Sequence, residues 1–191
     1  AILLIGLLAV LLVHLLMPDI STVWSNQFDH YALLIKKQFN VAVNTAQLQF
    51  FARFATGFQA AFISLSVLIN LVLARGLQSM LYNPGQLRPE LESIRLSQWQ
   101  VLVLLALLIG SFLRIELAQD ALPVVVFIFV LAGLSVFHAL AHLKNLAKKW
   151  ILLVYVLLVI FFPYLAAAFT LLAVVDSVAN LRHRVHSKMK V

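Results

Sequence analysis

Three apolar runs constrain this chain more than any other feature: Phe54 to Ala74, Leu122 to Leu143 and Ile151 to Val175. Each approaches or exceeds the roughly 20 residues that cross a hydrocarbon core of about 30 Å. One soluble core does not hide that much apolar surface. The chain is 63% hydrophobic and only 11% charged, against roughly 45–50% and about 25% in soluble domains. The reading is an all-α, polytopic transmembrane helical bundle, a single transmembrane domain over residues 1–191.

The formal charge of +7 would suggest nucleic acid in a soluble protein. In this one it reads as the Lys and Arg that orient helices against an anionic membrane face, so the partner expected is the lipid bilayer and not nucleic acid. The chain has no cysteine, which excludes disulfides, thiolate metal sites and Cys nucleophiles. It opens at Ala1, apolar from the first residue and without a basic leader, so Ala1 to Met17 does not read as an intact signal peptide and further N-terminal sequence is expected.

Ala1 to Met17 forms a span or the last part of one, ended by Pro18, which cannot continue a helical ladder. His14 lies inside it, and an ionisable group there either serves a function or reaches the interface. Residues 18–53 read as an interfacial amphipathic segment. Within it Phe28, Tyr31, Ile35, Phe39, Ala42, Ala46 and Phe50 recur at helical spacing, opposite Asp29, Lys36, Lys37, Asn40, Asn44 and Gln47. In Phe54 to Ala74 an apolar face of Phe54, Phe58, Phe62, Leu65 and Ile69 suits lipid. A polar stripe of Thr56, Gln59, Ser66 and Asn70, with Ser64 at its margin and Arg53 at its mouth, needs partners from other helices or from a ligand cavity, because unsatisfied amides in lipid cost several kcal/mol.

Gln100 to Leu113 makes a short span, followed by an expected turn at Gln119 to Pro123 that carries Asp120. Leu122 to Leu143 contains the small residues Ala132, Gly133 and Ser135, which permit close helix contact. His138 and His142 are spaced as two metal ligands on one helix face could be, but no third ligand is near in sequence and Lys144, Lys148 and Lys149 would repel a cation, so no metal is expected.

Trp150 to Leu181 is interrupted by Pro163 and is too long for one straight crossing. If it crosses once, the basic residues divide six against eight between the two sides; if it turns back at Pro163, they divide ten against four. The positive-inside rule favours the hairpin, and the count is five or six membrane segments. Asp176 is expected to pair with the basic tail over residues 182–191, at Arg182 or Arg184, while His183 and His186 read as solvated or as contacts to lipid head groups.

Residues 75–99 form the longest polar stretch, read as a cytoplasmic loop. Asn83, Pro84 and Gly85 supply a tight turn, with Pro preset for its second position and Gly tolerant of positive φ at its third. Pro89 opens a short helix on which Glu90 and Glu92 are expected to meet Arg88 and Arg95. Arg75, Tyr82, Asn83, Pro84, Gly85, Glu90 and Arg95 are the candidate docking surface for another integral membrane protein. No P-loop, Rossmann glycine pattern, HExxH or GxSxG elbow occurs, so neither enzyme activity nor a cofactor is expected.

The segment LARGLQSMLYNPGQLRPELESIRLSQW, with the later GLSVFHALAHLKN and FFPYLAAAFTLLAVVDSVANLRHR, resembles the YybS-like family of bacterial multi-pass membrane proteins, a domain of unknown function. This chain carries Gln86 where that family's turn has a second glycine. That family is in turn distantly similar to the substrate-binding S components of energy-coupling-factor vitamin transporters. The resemblance implies a compact bundle of about six helices in the bacterial inner membrane and brings no binding residue with it. Two functions follow as expectations: S-component-like binding or movement of a small molecule, with Thr56, Gln59, Ser66, Asn70 and Arg53 as ligand residues, or a structural subunit that docks another membrane complex.

Overall fold

Helix is the only regular structure among the described residues, 2–40 and 44–182 of a computed structural model. The order is α1 (Ile2–Leu16), α2 (Ile20–Phe39), α3 (Thr45–Ala52), α4 (Ala55–Tyr82), α5 (Leu87–Glu92), α6 (Gln98–Phe112), α7 (Glu116–Leu143), α8 (Lys148–Ile160) and α9 (Phe162–Ala179). By length and composition α4, α7 and α9 can each cross a membrane, and α1 with α2 makes a fourth candidate if that bent pair is one broken span. By that measure the candidate spans number three to four among the described residues, and α6 and α8, at 15 and 13 residues, are shorter than the roughly 20 residues of a full crossing.

The helix ends follow from local chemistry. Pro18 stops α1, and α2 departs from it at 91°. The amphipathic pattern expected to run from Phe28 to Phe50 at unbroken helical spacing is divided between two helices. Asn40 closes α2 in the left-handed conformation at φ 51°, and the Asn44 side chain caps α3 by accepting from the Ala46 and Gln47 amides. Ala42 of the expected face lies outside the described residues. Helix α4 runs eight residues past the apolar run, to Tyr82, because Arg75 to Tyr82 contains no proline and its single Gly76 costs only about 1 kcal/mol inside a helix, whereas Asn83 and Pro84 end it. Gly85 then takes φ 89°, as the turn demands.

The turn expected at Gln119 to Pro123 is helical. The reversal comes earlier, where Arg114 adopts φ 60° and the Ile115 amide donates to the Gly110 carbonyl. Pro123 then sits inside α7, where its missing N–H leaves the Gln119 carbonyl without its usual helical donor.

The chain forms two units. The first comprises residues 1–68 and 105–125 and holds α1, α2, α3, the first half of α4, the second half of α6 and the start of α7. Val10, Ala60, Ala61, Val124 and Val125 are among its buried residues.

The second unit comprises residues 69–104 and 126–191. It is built on a cluster of Val130, Ala166 and Phe169, against which Val154 and Leu158 of α8 and Leu165 and Leu172 of α9 pack. Val154 and Leu172 would lie about 27 Å apart on one straight helix at 1.5 Å per residue. Both reach the same cluster because the chain breaks at Phe161 and α8 folds back on α9. Gly133 packs so close to the Phe169 backbone that any Cβ would overlap the Phe169 carbonyl, the close contact the small residues of α7 permit.

One polar clamp fixes the end of the second unit. The Ser135 hydroxyl of α7 donates to the Leu91 carbonyl at 2.6 Å, and the Ser177 hydroxyl of α9 donates to the Leu96 carbonyl at 3.0 Å. Arg182 donates to the Glu92 and Ile94 carbonyls and pairs with Asp176 at 3.2 Å. The last parts of α7 and α9 thus meet the same segment, 91–96. The chain leaves that end along α8 and returns along α9, which is the hairpin geometry. Asp176 does pair with the tail, at Arg182, but it is 1% exposed rather than interfacial. The tail beyond Arg182, with His183, Arg184 and His186, lies outside the described residues.

Candidate functional site

The first unit buries a polar cluster drawn from four helices. Asp120, 4% exposed, points from the first turns of α7 toward the start of α4, where its Oδ1 accepts from the Gly57 amide at 3.2 Å. That amide is one of the N–H groups a helix start leaves without an internal partner, and a carboxylate is the acceptor that also complements the positive end of the helix dipole. Gly57 is required for the approach, because a Cβ there would overlap the Asp120 carbonyl. The Thr56 hydroxyl is also hydrogen-bonded to Asp120, and its Oγ1 accepts from the Trp24 indole Nε1 of α2 at 2.9 Å.

The fourth member is His14, at the end of α1. Its Nδ1 lies 3.0 Å from the Val10 carbonyl and its Nε2 lies 3.4 Å from Asp120 Oδ2. The first contact requires a proton on Nδ1, since a carbonyl only accepts. The second is an electrostatic contact at the outer edge of hydrogen-bond range, and among the described residues Nε2 finds no well-aligned hydrogen-bond partner. Ser21 and Glu116 join α2 to α7 beside it, at 3.2 Å.

Against this cluster lies an open groove of about 610 Å³ formed by α2, α3 and α4. Trp24, Phe28, Phe51, Phe58 and Phe62 give it aromatic walls, and Gln59 and Ser66 supply polar groups. The polar stripe read from the sequence is therefore divided. Gln59 and Ser66 line the groove, Thr56 is buried behind it, and Asn70 belongs to the second unit. Arg53 is exposed at the end of α3. The sequence reading missed Asp120 and Trp24. An acid and a histidine both inside helices of a membrane protein are the signal that could have paired Asp120 with His14.

In the second unit the residues of the polar segment have internal partners. Arg75 makes a two-pronged contact with Glu90, which holds the Glu90 carboxyl below the ordinary carboxylate range through the hydrogen bond from the guanidinium. Glu92 pairs with Arg88 at 2.7 Å, as expected, and lies 3.4 Å from His142. Arg95 meets neither glutamate: its guanidinium donates to the Asp176 and Ser177 carbonyls at the end of α9. Tyr82, Asn83, Pro84 and Gly85 are exposed. His138 and His142 are taken up separately, His138 by the Leu134 carbonyl and the Tyr155 hydroxyl, and His142 by Glu92. Among the described residues no group of three potential metal ligands occurs.

The family model for predicted membrane protein DUF2232 matches residues 1–177. The chain belongs to this family. Membership agrees with the apolar helices and extends over both units up to α9. No curated protein and no solved structure matches the chain.

Proposed function

We propose that this DUF2232 protein is a non-enzymatic component of the bacterial inner membrane that binds or moves a small molecule through the groove of its first unit. The observation that carries the reading is the groove itself, aromatic along α2, α3 and α4 and supplied with Gln59 and Ser66. Concave, mostly apolar sites with a few convergent polar groups are the usual form of small-molecule pockets. A flat, partly aromatic ligand carrying a hydrogen-bonding edge suits those walls, with Gln59 setting its orientation.

In this reading six segments lie in the membrane: α1, α4, α6, α7, α8 and α9, with α2 and α3 in the interface. The 91° bend after α1 supports an interfacial α2. The hairpin of α8 and α9 supports an even count and the ten-against-four division of basic residues, with residues 75–99 and the tail both cytoplasmic. The YybS-like resemblance and the S-component-like bundle belong to the same proposal.

A ligand screen by thermal stabilisation of the purified full chain tests it. A compound that stabilises the wild type should lose its effect in Gln59→Leu and in Phe58→Ala. Stabilisation that survives both substitutions would remove the ligand from this groove.

One observation favours a second reading, a subunit that docks another membrane protein. At 28 residues and about 1.5 Å each, α4 is about 42 Å long against a hydrocarbon core of about 30 Å, and its far end exposes Leu77, Met80, Leu81 and Tyr82. An apolar helix end beside the Asn83 to Gly85 turn is a surface on which a partner could seat.

A further inference from the structure

We propose that His14 and Asp120 form a one-proton site and that its occupancy sets the position of Trp24, a wall of the groove. The proton count follows from the contacts. Nδ1 of His14 is committed as a donor to the Val10 carbonyl, so in the neutral ring Nε2 carries a lone pair. That lone pair would face Asp120 Oδ2 at 3.4 Å. Two lone pairs at that distance repel in a site shielded from water, so the arrangement requires one proton between them, either on the imidazole or on the carboxyl. Loss of that proton leaves two acceptors face to face, and His14 and Asp120 then separate.

Asp120 connects this proton to the groove. Its carboxyl is hydrogen-bonded to the Thr56 hydroxyl, and Thr56 in turn accepts from the Trp24 indole, which lines the groove. Rotation of Asp120 away from His14 changes what Thr56 can offer Trp24. The elements packed around the pair supply few competing charges. Among the described residues, Glu116 of α7 is the other charged group that acts on Asp120, and its carboxylate accepts from Ser21 of α2; the groups of α2 and α4 that reach the cluster, Trp24, Thr56 and the Gly57 amide, are neutral. The proton comes from and returns to solvent, and no other reactant is needed. Buried titratable pairs inside membrane helices are the usual material of proton relays and proton-linked transport. The inference rests on the groove as the working site, but its test requires no ligand, so the two can fail separately.

The test uses the full chain in lipid nanodiscs with Trp99→Phe and Trp150→Phe, leaving Trp24 as the single tryptophan. Its emission and its quenching by acrylamide are followed as the pH is varied across the range in which the chain stays folded. The wild-type background should show one sigmoidal transition. Asp120→Asn, which keeps an oxygen for the Gly57 amide, and His14→Gln should each abolish it. Glu116→Gln should move its midpoint, and His30→Gln should leave it unchanged. Circular dichroism establishes that each variant is folded, and if one is not, the other alone decides. A flat wild-type curve, a transition that survives in a folded His14→Gln or Asp120→Asn variant, or one that vanishes with His30 would overturn the proposal.

Discussion

Replacing Arg182 by Met should destabilise the second unit by about 3–5 kcal/mol, the cost of breaking a buried ion pair from one side. The side chain serves four groups at once: the Asp176 carboxylate at 3.2 Å, the Glu92 and Ile94 carbonyls and, at 3.5 Å, the Ser135 hydroxyl. Without it Asp176, 1% exposed, keeps among the described residues the Arg182 backbone amide at 3.5 Å. Asp176→Asn should cost less, about 1–2 kcal/mol, because Arg182 keeps its three neutral acceptors and one charged hydrogen bond is lost. The double variant Asp176→Asn with Arg182→Met should cost less than the two single losses added together, since neither charge is then left alone. Reversible unfolding by SDS titration in mild detergent measures all three. The reasoning is refuted if Arg182→Met costs under about 1 kcal/mol, or if Asp176→Asn is the more damaging substitution.

Gly133→Ala places a methyl against the Phe169 carbonyl, and the α7–α9 contact must open at a cost of about 1–3 kcal/mol, read by the same titration. Asn44→Ala removes the acceptor for the Ala46 and Gln47 amides and should weaken α3 by about 0.5–2 kcal/mol, seen as faster hydrogen exchange over residues 45–52. Glu90 has a depressed folded pKa through Arg75, so its contribution is complete above the ordinary glutamate pKa and is lost as pH falls through the folded value. The protection of amides 86–93, measured as exchange relative to the intrinsic rate at each pH, should therefore fall on acidification below the usual glutamate range, and Glu90→Gln should show the reduced protection already at neutral pH.

The sequence conveyed the membrane class and most helix interiors, because a bilayer imposes long apolar runs that are visible without any partner. It conveyed helix ends where a breaker marks them, as at Pro18, Asn83 with Pro84, and Pro163. It misled at Arg114, since a non-glycine residue at positive φ leaves no signal, and the turn was sought at Pro123 instead. It misled on the length of α4 because charge at Arg75 ends an apolar run without ending a helix. Pairings between residues far apart were hidden almost entirely: His14 with Asp120, Trp24 with Thr56, and Arg95 with the end of α9. Each joins side chains whose separation in sequence carries no periodicity. Asp176 with Arg182 was legible because six residues and one helix end separate them.

The central claim, a small-molecule site in the groove of the first unit, is tested most directly by native mass spectrometry of the full chain purified in mild detergent. The account predicts a monomer carrying a non-lipid small molecule of defined mass, absent from Gln59→Leu. A chain that is free of any such molecule and arrives with a stoichiometric protein partner would contradict it and favour the docking surface at the end of α4.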